Sequence, residues 1–236
     1  MNPVHAFARK IPGLRSGWYL AHELRRMLKD TSPRRRAHFE TLFRQAADPW
    51  QYESDPGERQ RFEREMAMIL SALDGKAPAR ALEIGCAEGA FTAHLAPRCR
   101  SLLAMDASET ALARARACQA WPPHVIFTKA DLEHDALPGS RDLIVVTGVL
   151  DHISRPGVLR ELREKLVGAL EPGGLLLIGN PPCNEVVDNA WWGRALIRGG
   201  KWIARFFAED PRLEVVAECS AAGHLDLLLK RTRDAS

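Results

Sequence analysis

At 236 residues and a formal net charge of +3, the chain is long enough for a true hydrophobic core with additions, and its composition is that of a globular protein. It holds no run of about 18 apolar residues to span a bilayer, and no apolar h-region follows the start, so neither a membrane span nor a secretory leader is expected. Its five cysteines (Cys86, Cys99, Cys118, Cys183, Cys219) form no C-x-x-C pair and its eight histidines show no metal-ligand spacing. That argues against a disulfide frame or a zinc site and for reduced thiols in a cytoplasmic protein.

Residues 1–50 stand apart. They carry ten Lys and Arg against four acids, a net +6, so residues 51–236 carry −3. A helix is expected over residues 18–28, broken by Thr31-Ser32-Pro33, and a second over 34–46 with Phe39, Leu42 and Phe43 inward. This basic helical extension is read as a cap on the domain formed by residues 51–236. A solvated basic face, docking of an anionic substrate, an acidic membrane surface and nucleic acid all remain open for it. No aromatic-and-basic pattern of a known nucleic-acid fold is visible. Asp48-Pro49-Trp50-Gln51-Tyr52-Glu53 follows, then a helical stretch over 55–73 with Phe62, Met66, Ile69, Leu70 and Leu73 on one face.

The chain is organised around residues 81–92, ALEIGCAEGAFT. Ala81, Leu82 and Ile84 read as a short buried strand, Gly85 and Gly89 bracket a turn, and Phe91, Leu95 and Ala96 recur at helical spacing. A strand entering a helix through a glycine turn is expected to leave backbone N–H groups free for a nucleotide-like ligand. A dinucleotide fingerprint fits with one glycine replaced (Gly85, Ala87, Ala90). An S-adenosylmethionine (SAM) site fits Glu83, Gly85, Ala87 and Gly89, with alanine for the middle glycine. Glu83 favours SAM, because a carboxylate there repels a pyrophosphate and suits a cationic ligand; it is otherwise an acid satisfied by backbone amides.

Two further acids follow. Residues 101–105 form a second apolar strand ending at Asp106, 21 residues after Gly85, close to the spacing of about 20 expected for an acid gripping ribose hydroxyls. Residues 125–127 form a third strand before Asp131-Leu132, an acid for an adenine amino group and a leucine for its ring. Residues 142–146 form a fourth, leading to Thr147-Gly148 and Leu150-Asp151-His152. A helix over 156–170 ends at Glu-Pro-Gly-Gly, and a fifth strand runs to Gly179-Asn180.

In this order and spacing the motifs resemble the class I SAM-dependent methyltransferases over roughly residues 51–231. The resemblance implies a Rossmann-like α/β fold with a seven-stranded sheet. It also implies SAM as cofactor, S-adenosylhomocysteine as product, and a cofactor-binding set of Glu83, Gly85, Cys86, Ala87, Gly89, Asp106, Ala107, Asp131, Leu132, Thr147 and Trp50. Asp-Pro-Trp before an aromatic-Glu pair, the Arg-rich helix after it, and Leu95-Ala96-x-x-Cys99-x-x-Leu102-Leu103-Ala104-x-Asp106 are similar to the nodulation-protein-S-like N-methyltransferases. Those methylate an amino group on a chito-oligosaccharide, and their N-terminal segment folds over the cofactor, which implies a lid containing Trp50 and Tyr52. That subgroup has aromatic residues where this chain has Asp151-His152.

His152, with Asp151 beside it, is the candidate general base, its ordinary pKa of about 6.5 suiting deprotonation of an acceptor; the alternative is a helix-cap or packing histidine. Residues 187–209 interleave aromatics and bases (Trp191, Trp192, Arg194, Arg198, Lys201, Trp202, Arg205, Phe206, Phe207) and are expected to cap the acceptor pocket, or else to pack on the sheet. Residues 213–219 and 226–231 are expected as a closing antiparallel pair. The expectation is methyl transfer to N or O of a small, sugar-like or natural-product acceptor. The alternatives are an RNA methyltransferase using the basic N-terminus and a non-catalytic SAM-binding partner subunit.

Overall fold

The structure, a computed structural model, describes residues 31–153, 155–181, 199–221 and 223–233. The expected helix over 18–28 lies outside them, as does most of the 187–209 segment. The elements are α1 (Ser32–Gln45), α2 (Pro56–Ala72), β1 (Ala81–Ile84), α3 (Ala90–Leu95), β2 (Leu102–Asp106), α4 (Glu109–Cys118), β3 (Val125–Lys129), β4 (Arg141–Thr147), α5 (Pro156–Ala169), β5 (Leu170–Asn180), α6 (Gly200–Ala208), β6 (Leu213–Ala221) and β7 (His224–Arg231).

The strands form one seven-stranded sheet in the order β3-β2-β1-β4-β5-β7-β6. The first five run parallel, and β7 is antiparallel to both β5 and β6. Alternation along the central strands supplies both faces of the core. Leu82, Ile84, Ile144 and Val146 face one way, with α5 and α6 residues such as Leu162 and Phe207. Ala81, Leu143 and Val145 face the other, with Phe62, Met66 and Ile69 of α2 and Phe91 of α3. Because β1 is covered on both sides, all four of its residues are buried, Glu83 included.

Local chemistry sets the boundaries. Asp55 caps α2 by accepting from the Gly57 N–H at 2.7 Å, with proline at the first helical position. Ser108 caps α4 through the Ala111 N–H. The helix before Glu-Pro-Gly-Gly stops at Ala169 as expected, and that lead-in is already part of β5, whose pairing with β4 shifts register between Arg141 and Leu143. The described end of the 187–209 segment is a correction. Helix α6 buries Ile203 and Phe207 against the sheet, so this stretch packs into the core. Trp202 and Phe206 stack at 4.9 Å, with the Arg163 guanidinium over Phe206. Among the described residues no helix is long and apolar enough to cross a membrane.

Candidate active site

Strand order reverses between β1 and β4, and ligands of open α/β sheets bind outside the carboxyl ends of strands at such a point. The main cavity opens there. Ile84, Gly85, Ala87, Asp106 and Ala107 form its floor, Asp131 and Leu132 one wall, and Val149, His152 and Ile153 another. Its roof is α1 with the loop after it: Phe39, Phe43, Trp50 and Tyr52.

The glycine turn makes room without offering free donors. Gly85 has φ +78°, and a Cβ on it would run into the Val149 side chain. The Gly85 and Cys86 N–H groups both donate to the Met105 carbonyl, the Ala87 N–H donates to Asp106 Oδ2 at 3.0 Å, and the Gly89 N–H donates to Cys86 O. The expectation of free N–H groups at this turn is therefore corrected at these four residues: the hydrogen bonds hold β1 to β2 instead. Gly89 lines neither cavity; at φ +92° it starts α3, and a Cβ there would sit 3.1 Å from Trp121. Ala87 takes φ 49°, a left-handed conformation that strains an alanine, and packs with Phe43 and Ala111.

The acids separate into two kinds. Asp106, at the end of β2, accepts from the Ala87 and Ser108 N–H groups, while burial pushes its carboxyl above the usual range. Asp131, just past β3, accepts from Ser32 Oγ and pairs with Arg36. Lys165 fixes that loop by donating to the carbonyls of Leu132, Glu133 and Asp135. Glu83 lies elsewhere. It is 3 % exposed, accepts from Thr92 Oγ1 at 2.6 Å, and is pushed up to about 7 by burial, with Asp106 adding to the rise.

Glu83 lines a second, smaller cavity that shares Tyr52, Ile84 and Gly85 with the main one. Its other lining includes Cys86, Thr147, Phe91 and Arg61. Burial raises the Cys86 thiol well above its usual range, so it is an inert wall. Arg61 is 5 % exposed and donates to Glu58 and, at 2.7 Å, to Glu65.

The description of the family model that matches residues 38–222 is nodulation protein S (NodS). This chain belongs to the nodulation protein S family. Nodulation protein S of Rhizobium tropici is 36 % identical over 135 residues, 57 % of this chain and 56 % of that protein. The Bradyrhizobium diazoefficiens protein is 31 % identical over 185 residues, 78 % of this chain and 85 % of its own. The chain thus spans little more than half the length of the first relative and most of the second. Among solved structures, the N-methyltransferase NodS from Bradyrhizobium japonicum WM9 in complex with S-adenosylhomocysteine matches with a TM-score of 0.71 at 28 % identity, covering 84 % of this chain and 98 % of that one. The fold is the Rossmann-like class I methyltransferase fold.

Helix α1 is fastened over the main cavity by charged side chains. Arg35 pairs with Glu133 and Arg36 with Asp131, while Glu40 accepts from Ser108 Oγ and Thr110 Oγ1, each at 2.7 Å. Those hydroxyls, Thr110 foremost, hold the Glu40 carboxyl down to about 2. Trp50 stacks on Tyr52 and meets Phe43 at 5.1 Å. The Asp-Pro-Trp motif sets this up: Asp48 accepts from the Tyr52 and Glu53 N–H groups, and its own N–H donates to Glu88. Tyr52 is pushed up to about 12 by burial and stays a neutral hydroxyl.

His152 lines the main cavity edge-on to Phe39 at 4.8 Å. Asp151 is not part of that cavity's lining: its backbone N–H donates to Asn180 Oδ1 at 3.3 Å, and its buried Oδ1 has no hydrogen-bond partner among the described residues. Sequence reasoning did not assign site roles to Ser32, Arg35, Arg36, Glu40, Arg61 or Lys165. For Ser32, Arg35, Arg36 and Glu40 the only signal was the +6 charge of residues 1–50, and for Arg61 the Arg-rich helix; neither named a partner.

Proposed function

We propose that this chain transfers a methyl group from SAM to a nitrogen or oxygen of a small, sugar-like acceptor. The carrying observation is that Gly85, Asp106 and Asp131 meet on one cavity at the sheet's switch point. The residues fit the cofactor. Asp106 and Asp131 have further lone pairs for ribose hydroxyls and an adenine amino group, and Leu132 and Ile84 offer apolar faces to the ring. With the N–H groups of Gly85, Cys86, Ala87 and Gly89 engaged, and acids facing the cavity, a pyrophosphate finds a poor match. The second cavity suits an amino-acid tail: Arg61 for its carboxylate and Glu83 for its ammonium, with Tyr52 at the waist.

SAM, when bound, supplies a methyl group on an already activated sulfonium. The protein's work is then to align the acceptor and exclude water, positioning that is worth about 7–11 kcal/mol in well-oriented reactions. The α1 roof excludes water. On this reading His152, which lines the cavity beyond the carboxyl end of β4, meets the acceptor and takes its proton where the acceptor is a hydroxyl or a protonated amine. The family supports an amine: a relative solved with S-adenosylhomocysteine is an N-methyltransferase. Of the ten bases in residues 1–50, Arg35 and Arg36 pair with Glu133 and Asp131, which makes those two a poor footprint for RNA.

Calorimetric titration of SAM, S-adenosylhomocysteine and NADH into wild type and Asp106→Ala tests the reading. Micromolar binding of the SAM pair is expected, weakened at least about 100-fold in the variant, as loss of charge-assisted hydrogen bonds dictates. Binding of NADH instead, or of neither SAM nor its product, overturns it. An acceptor screen then starts from amino sugars.

A further inference from the structure

Behind the second cavity, where α2 crosses the start of β7, lies a side-chain cluster that the methyl-transfer reading leaves unused. We propose that Glu65, His224 and Asp226 bind one divalent transition-metal cation of the zinc class, which pins α2 to β7.

One ligand atom from each of the three lies within 4.8 Å of the others. His224 Nδ1 is 2.5 Å from Asp226 Oδ1 and 4.0 Å from Glu65 Oε1. Both carboxylates are 0 % exposed. Each keeps one oxygen, Glu65 Oε2 and Asp226 Oδ2, with no hydrogen-bond partner among the described residues. Buried polar atoms are nearly always paired, and two orphans in one cluster call for a shared occupant. Charge points the same way. Glu58, Glu65 and Asp226 meet Arg61 and His224, so with all acids ionised and the imidazole neutral, as a metal ligand requires, the group carries −2, which one divalent cation neutralises.

The donor set narrows the ion. One imidazole nitrogen with two carboxylates suits zinc, cobalt or manganese better than calcium or magnesium, which favour all-oxygen shells. The surroundings resemble an orienting outer ring: Arg61 donates to Glu65 Oε1 at 2.7 Å and is itself clamped by Glu58. The backbone is also cleared for the cluster. A Cβ at Gly179 would stand 2.7 Å from Asp226 Oδ1 and 2.8 Å from His224 Cε1. The spacing hid this in the sequence: His224 and Asp226 alternate onto one face of a strand, and Glu65 comes from a helix far earlier in the chain. A proton shared by the two carboxyls is the competing occupant; it would join the two acids and keep the imidazole hydrogen-bonded to Asp226 Oδ1.

The test is calorimetric titration of Zn2+ into the full chain after dialysis against a chelator, for wild type, Glu65→Gln and Asp226→Asn, with Co2+ absorption as a second readout. Wild type is expected to take up one equivalent at micromolar or tighter affinity, with a Co2+ spectrum of low coordination number. Either variant should lose that equivalent or bind it at least 100-fold more weakly. Far-UV circular dichroism reports the folding of both variants, and S-adenosylhomocysteine titrated into wild type keeps the two proposals apart, because its failure to bind would count against the methyltransferase reading alone. No zinc uptake by wild type, or equal uptake by wild type and both folded variants, overturns the metal site and leaves the shared proton.

Discussion

The two cavities are closed by charges of opposite character. Over the main cavity, Arg36 pairs with Asp131 at 38 % and 13 % side-chain exposure, and the Glu40 contacts are part-exposed. Behind the second cavity, Arg61 and Glu65 pair at 6 % and 0 %. The same chemistry therefore serves two ends. Exposed pairs gain little and yield easily, which suits a lid; a buried pair cannot lose one partner without stranding the other, which suits a fixed wall.

The strongest test removes one guanidinium from each end. Arg61→Met is expected to cost about 3–5 kcal/mol of stability by denaturant unfolding, because it strands Glu65. Arg36→Met is expected to cost no more than about 1 kcal/mol. Equal costs would erase the distinction. Next is Glu83, raised from an ordinary 4.5 to about 7 in the fold. Its protonated form is favoured by folding, so its contribution is complete below pH 4.5 and is lost as pH rises through 7. Wild type should lose about 3 kcal/mol relative to Glu83→Gln across that window. A difference curve flat with pH would show that Glu83 is not held this way.

Glu40 runs in the other direction. Held down to about 2, its contribution is present above pH 4.5 and lost as pH falls through 2. Glu40→Gln, or raising the salt from about 0.05 to 0.5 M, should speed amide exchange in α1 while leaving α2 and β7 unchanged. Uniform changes across all three elements would contradict a separable lid. The smallest effect is expected of Ala87→Gly, which relieves the left-handed strain but loses a methyl packed against Phe43. Its net change in stability should stay within about 1 kcal/mol of wild type.

Much of this was legible in the chain because it is local. The Glu83-x-Gly85 strand end and the step of 21 residues to Asp106 both lie within one strand–helix–strand unit, and both were found in place. What stayed hidden depends on partners distant in sequence. Nothing near Arg35 or Arg36 names Glu133 or Asp131, and nothing near Glu65 names His224. The 200–208 stretch misled for a related reason: a helix with one apolar face reads the same over a pocket as on a sheet, and only the position of β5 and β7 decides. The glycine turn misled because its N–H groups were counted as unspent before Met105 O and Asp106 were known to take them.

The pairing of Arg36 with Asp131 has a kinetic side. On the proposed reading, the carboxylate that grips the base of the cofactor is also the latch of the lid. Lid and ligand then draw on one handle, so release of spent cofactor and re-closure of α1 become competing claims on a single group. Residence time on the enzyme would then be set as much by an arginine on the roof as by any contact within the pocket.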